Sequence, residues 1–156
     1  MRLHVIAIGD RLVDWQQAAC DDYARRFARP WSLQLAELRA EPRNEARPVE
    51  RMAAAEGERL LAAVPRGARK VVLDERGRAL STRQLADRLG EWQADGGDAA
   101  FLLGGPDGHA QALRERADLL LSLSPMTLPH GLARVVLIEQ LYRATTILAG
   151  HPYHRE

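Results

Sequence analysis

The chain has 156 residues, 46% of them apolar and 28% charged, with a formal net charge of +1. That length suits one domain with a sizeable core, and the apolar content excludes a disordered chain. No apolar run approaches the roughly 18 residues of a membrane-spanning helix, and the near-neutral charge argues against a strong grip on naked RNA through phosphates alone.

The chain opens on "MRLHVIAIGD", in which "LHVIAIG" (3–9) is nearly continuous apolar, as in a strand covered on both faces. It lacks the longer apolar region and small-residue cleavage site of a signal peptide, so a cytoplasmic protein is expected. Residues 13–27 place Trp15, Ala18 or Ala19, Tyr23 and Phe27 at helical spacing, and "WSLQLAEL" (31–38) alternates like a strand. The charged stretch 41–51 carries two Pro and reads as an exposed loop leading into a helix over about 49–64. "ARKVVLD" (68–74) is a buried strand, followed by a turn at "ERGR" and a helix over 82–94 with Ser81 as its N-cap. Strand-like "DAAFLLGG" (98–105), a short helix (109–117) and strand-like "LLLSLS" (119–124) precede a last helix over 131–149 and the tail "HPYHRE". This alternation predicts a single-domain α/β fold, a mostly parallel sheet with helices on both faces.

The last helix carries Leu132, Val135, Val136, Leu137, Ile138, Leu141, Tyr142, Ile147 and Leu148 around most of its circumference. A helix apolar all round must be buried on several sides, and a subunit interface supplies the second side, so a homodimer is expected. Glu139 and Arg143 stand at i,i+4 in the favoured order.

Ligands on open α/β sheets sit beyond the carboxyl ends of the strands. Three such ends carry suggestive loops: "LDERGR", "LLGGPDG" and "LSPMTLPHG". Gly104, Gly105 and Gly108 permit close backbone approach, although a G-G-P-D-G run is equally a plain turn, and it matches neither a dinucleotide fingerprint nor a P-loop. "SPMTLPHG" mixes the hydroxyls of Ser122, Ser124 and Thr127 with apolar Leu123, Met126 and Leu128, as small-molecule pockets do, yet it also serves as a tight strand-to-helix connection. His130, at the start of the last helix, is a capping or packing residue or a catalyst. His130, His151 and His154 have no Cys cluster and no H-E-x-x-H motif beside them, and the single Cys20 supplies none, so no metal is expected. No nucleophile elbow is present. Of the 22 basic residues only Lys70 is Lys and 21 are Arg. Arg forks suit phosphate and base stacking, but the abundant Ala beside them is also what GC-rich coding produces.

Together, "LDERGRALS", "LLGGPDG", "SLSPMTLPHGLARVVLIEQLYRA" and the terminal "HPYHRE" resemble the ribosomal RNA large subunit methyltransferase H family, enzymes of the SPOUT class. The likeness runs the whole length, from "LHVIAIG" and "DDYARRF" onward; Asp10 departs from it, standing where a basic or neutral residue is expected. The resemblance implies a trefoil knot in the C-terminal half, a homodimer, and methylation of N3 of a pseudouridine in bacterial 23S ribosomal RNA. It implies that Leu73, Gly104, Gly105, Leu123, Ser124, Pro125, Met126, Thr127 and Leu128 contact S-adenosyl-L-methionine. For the chemistry, His154 or His130 is expected to accept the N3 proton, Arg155 or Arg143 to stabilise the developing anion, and Tyr153 to stack on the target base. A small chain of near-neutral charge points to ribosomal RNA within an assembled ribosome as substrate. Two rival readings remain open: a non-catalytic RNA- or ribosome-binding protein on the same fold, and a SPOUT methyltransferase acting on another RNA.

Overall fold

Five strands, Arg2–Ile8 (β1), Ser32–Leu38 (β2), Arg69–Ala79 (β3), Ala99–Leu103 (β4) and Leu119–Ser122 (β5), form one sheet in the computed structural model. All four pairings are parallel and the order is β2-β1-β4-β3-β5. The structure describes residues 1–9, 11–43 and 47–155; residues 10, 44–46 and 156, and the side chains of 154 and 155, lie outside the described residues. Parallel neighbours need crossover connections, and the crossovers here are the helices Asp14–Arg26 (α1), Val49–Ala63 (α2), Thr82–Ala94 (α3) and Gln111–Glu115 (α4). The long helix His130–Leu148 (α5) follows β5, and a 3-10 turn spans Pro152–Arg155.

Strand side chains alternate between faces, so the apolar runs feed two cores. Leu3, Val5, Ala7, Val71, Ala99, Phe101 and Leu103 meet Cys20 of α1, Leu85, Leu89 and Trp92 of α3, and Leu137, Ile138 and Leu141 of α5. Ile6, Ile8, Val72, Ala100 and Leu102 meet Leu60 of α2 and Leu113 of α4 on the other face. Each Leu, Ile, Val or Phe so buried contributes roughly 1.5–3 kcal/mol. All five residues of β4 are buried, because it lies between β1 and β3 under helices on both sides.

Three elements differ from the sequence reading. The expected turn at "ERGR" is a continuation of β3, which stays extended to Ala79. Its pairing with β5 breaks and resumes: Leu73 and Arg78 both face Leu121, with 74–77 bulged between them. Gly77 makes this possible, because a Cβ there would lie 2.7 Å from backbone atoms of Leu120 and Leu121. In α1 only Cys20 is buried, whereas Trp15 is 58% exposed, so the aromatic spacing marks a helix without marking its buried stripe. Finally, α5 is partly covered by helices of its own chain. Residues 130–147 are all buried or half-buried, held by α1 on one flank and α3 on the other. Of its apolar side chains Leu137, Ile138 and Leu141 are buried, whereas Leu132, Val135, Val136, Tyr142 and Ile147 are half-buried and Leu148 is exposed, so part of its girth stays open in the single chain.

Helix ends follow local chemistry. Ser81 accepts from the Gln84 N–H at 3.2 Å while the Gln84 side chain accepts from the Ser81 N–H at 2.9 Å, a complete capping box.

Candidate functional site

The sheet order makes β4, β3 and β5 neighbours, so the loops leaving their carboxyl ends meet. They enclose an open cavity of about 790 Å³, within the range of small-molecule sites. Leu73, Gly104, Gly105 and the whole run Leu123 to Leu128 line it. His130 and Ala133, from the first turn of α5, form a further wall. Every residue expected to hold a cofactor is therefore brought to one place.

The loop after β4 is shaped by its glycines. Gly108, at φ +75°, donates its N–H to the Gly105 carbonyl at 3.0 Å, closing a turn over Pro106 and Asp107. A Cβ on Gly104 would stand 2.8 Å from the His109 ring, and one on Gly105 2.7 Å from the buried Glu56 carboxylate. Arg43 anchors this loop from α2's side, bridging Glu56 at 2.6 Å and Asp107 at 2.9 Å. The loop after β5 is held by its hydroxyls: Ser122 Oγ donates to the Ser124 carbonyl at 3.2 Å, and the Met126 N–H donates to Ser124 Oγ at 2.9 Å. Met126 itself is 77% exposed, a flexible apolar edge over the cavity mouth.

Several cavity groups were not singled out from the sequence. Asp74, Glu75, Arg76, His109 and Arg114 all line it. Asp74 receives Arg114 at 3.4 Å and the Arg76 N–H at 2.9 Å. Arg114 also donates to the His109 carbonyl at 2.5 Å, which ties α4 to the loop. Asp74 had a usable signal, a carboxylate directly after a buried strand; His109 had none, being one residue past a glycine turn. Burial pushes the His109 imidazole below its ordinary pKa, against the opposing pull of Asp74. Burial does the same to His130, and Arg134 adds to it. Both rings are thus held neutral, and the Nε2 of each is buried without a hydrogen-bond partner among the described residues.

The tail gathers elsewhere. The Tyr153 hydroxyl donates to the Glu139 carboxylate at 3.1 Å and pairs with the Tyr23 hydroxyl at 3.2 Å, and its ring meets Tyr142 edge-on at 4.8 Å. Arg143 lies over the Tyr153 ring at 4.7 Å and is paired with Glu139 at 2.7 Å. Burial and these bonds raise the Tyr153 pKa, keeping it a phenol. Arg143 and Tyr153 therefore stand together, but at the end of α5 opposite His130. Tyr153 packs back on Glu139 and Tyr142, a rise of roughly 14–18 Å along α5 from His130, and among the described residues no tail residue lines the cavity. The side chains of His154 and Arg155 lie outside the described residues.

Leu73, Leu103, Leu123 and Leu128 give the cavity apolar walls, and the bare backbone at Gly104 and Gly105 admits close approach of a ligand. Among the described residues no group of three His, Cys, Asp or Glu is placed to hold a metal ion. No helix is long and apolar enough to cross a membrane, again among the described residues.

A family model described as "Predicted SPOUT methyltransferase" matches residues 1–154. Ribosomal RNA large subunit methyltransferase H of Methylibium petroleiphilum is 54% identical over 156 residues, covering 100% of both chains. The proteins of the same name from Leptothrix cholodnii and Chromobacterium violaceum are 53% and 50% identical over the same full length.

Proposed function

Because the chain belongs to the SPOUT methyltransferase family, we propose that it methylates N3 of a pseudouridine in 23S ribosomal RNA, with S-adenosyl-L-methionine as donor and the assembled ribosome in the cytoplasm as substrate. What supports the reading is the cavity at the carboxyl ends of β4, β3 and β5, joined to full-length likeness to enzymes named for ribosomal RNA. Residues 1–156 act as one SPOUT domain, with the trefoil knot of the class in the C-terminal half.

When bound, S-adenosyl-L-methionine supplies an electrophilic methyl group on a sulfonium cation. The chain's own task is placement and charge handling, and good placement accounts for roughly 7–11 kcal/mol of barrier reduction. Leu73, Gly104, Gly105 and Leu123 to Leu128 hold the donor. The N3 proton of the target base must leave. His130 lines the cavity and is held neutral, the state that accepts a proton; His154 is the second group for that role. Arg143 or Arg155 stabilises the anion that develops, and Tyr153 stacks on the base.

Since no described tail residue lines the cavity of its own chain, the tail serves the cavity of a partner subunit in a homodimer. Exposed Val13, Trp15, Leu35 and Leu148 offer apolar surface for that contact. A stable monomer in sedimentation at micromolar concentration refutes the dimer.

Mass spectrometry of ribosomal RNA from a deletion strain, with and without complementation, tests the substrate: the methylated pseudouridine must vanish and return. Tyr153→Ala and His154→Ala test the tail. Near-normal donor binding by calorimetry with methylation cut at least about tenfold is expected; unchanged turnover in both variants removes the tail from the chemistry.

A further inference from the structure

The bulge in β3 shapes the rim of the cavity. Gly77 is pressed against the backbone of β5, so close that a Cβ would fall 2.7 Å from Leu120 and Leu121. Arg76 and Arg78 flank Gly77 where the interrupted ladder resumes. Both are exposed, and Arg76 lines the cavity mouth. Residues two apart on a strand are separated by at most about 6.6 Å of backbone, so both Arg belong to one lip.

Their charge is not spent within the chain. Among the described residues no carboxylate pairs with Arg76 or Arg78, whereas Arg43, Arg114 and Arg134 are tied to Glu56, Asp74 and Glu37. The nearest acid, Asp74, is occupied by Arg114 and by the Arg76 backbone N–H, not by either free guanidinium. Glu75 also lines the cavity but pairs with neither guanidinium among the described residues. A strand extended past its broken ladder, kept there by a glycine and ending in two unpaired forks, is a lip built to meet anions outside the cavity.

We propose that Arg76 and Arg78 form a phosphate clamp that lays the backbone of the substrate RNA strand across the mouth of the methyl-donor cavity. The clamp rests on the reading of the chain as a ribosomal RNA methyltransferase. Arg is the side chain suited to it, because its planar fork takes two phosphate oxygens at once. Arg78 does not line the cavity, so it meets the polynucleotide and not the donor. Backbone contacts fix register without reading sequence, and a chain of net charge +1 depends on such local concentration of charge more than a basic protein does.

The test compares wild type with Arg78→Ala, Arg78→Lys and the double variant Arg76→Ala/Arg78→Ala. Methylation is followed on 70S ribosomes from a strain lacking the enzyme, over a range of salt concentrations, with the KM for S-adenosyl-L-methionine and the thermal midpoint measured in parallel. Arg78→Ala should raise the ribosome KM about fivefold while leaving donor KM and thermal midpoint as in wild type. Its slope of log affinity against log salt should shallow by about 0.7–0.9, the share of one neutralised phosphate. The double variant should shallow by about twice as much, and Arg78→Lys should restore the slope while recovering only part of the affinity. An unchanged ribosome KM, or a raised KM with an unchanged salt slope, overturns the clamp. A wild-type control that transfers nothing to ribosomal RNA while binding donor normally overturns the functional reading and the clamp together.

Discussion

Replacing Gly104 by Ala isolates the close approach on which the cavity floor depends. The new methyl would stand 2.8 Å from His109 Cε1, 2.9 Å from Nδ1 and 3.0 Å from the Gly108 carbonyl. His109 is 8% exposed and has little room to retreat, so either the ring swings toward the cavity or the glycine turn opens. Overpacking of this kind costs about 1–3 kcal/mol. If the ring takes the space of the donor, that cost converts to a roughly 5- to 150-fold weaker Kd, at about 1.4 kcal/mol per factor of ten. Titration calorimetry with S-adenosyl-L-methionine reads the Kd, and urea denaturation of the same samples reads stability. The double variant Gly104→Ala/His109→Ala separates the cause, because it removes the ring the methyl meets and should recover most of the affinity. A Gly104→Ala protein with wild-type Kd and wild-type urea midpoint refutes the reasoning, as does a double variant no better than the single.

Three further outcomes follow from other parts of the molecule. Ser81→Ala breaks the capping box at the start of α3 and should cost about 1 kcal/mol, seen by calorimetry as a drop of roughly 2–4 °C in Tm, with methylation little changed. Arg134 is 4% exposed and paired to Glu37 at 2.5 Å, with its Nε and Nη2 atoms unpartnered among the described residues. Removing the acid strands a buried charge, so Glu37→Ala should destabilise by about 3 kcal/mol, whereas Arg134→Met should be neutral or stabilising; equal losses in the two urea midpoints refute this asymmetry. Burial lowers the pKa of His4, His109 and His130 from 6.5. Just below that value the unfolded chain therefore binds more protons than the folded one. Their contribution to stability is full above about pH 6.5 and is lost as pH falls through their folded values. Asp98 and Asp118 are held low by Arg2 and Lys70 even though burial opposes it, and they add losses only below about pH 3.8. The urea midpoint should decline from pH 7 to 5, and His109→Gln should flatten that decline; a level profile in wild type refutes it.

The strands and helices were legible in the sequence because their signals are local. Continuous apolar runs at 3–9, 68–74 and 98–105 carry the signature of strands covered on both faces, and Ser81 with Gln84 three residues on is a capping signal complete within four residues. The loops that line the cavity carry local patterns too, glycine runs and hydroxyl-apolar mixtures at strand ends, while their assignment to a cofactor came from the family resemblance. What local pattern cannot hold is which strand lies beside which. The order β2-β1-β4-β3-β5 alone brings three loops, spread over some fifty positions of sequence, around one cavity, and it adds His109 and Arg114, which no motif marked.

The "ERGR" segment shows the limit most plainly. Its Gly between charged residues has the composition of a turn, yet close packing on the β5 backbone keeps it extended, a contact between residues more than forty positions apart. In the same way the girth of α5 stated that several sides must be buried, while only the packing of α1 and α3 decided what buries them. Periodicity records how much of a surface avoids water. It carries no record of the neighbour, because burial of apolar area is non-directional, and the neighbour is chosen by the chain as a whole. The sequence by itself marked most of the elements, the glycine- and hydroxyl-rich loops and the residue types of the tail; the tertiary structure decided that the loops share a cavity and that Tyr153 packs on Glu139 and Tyr142 outside it.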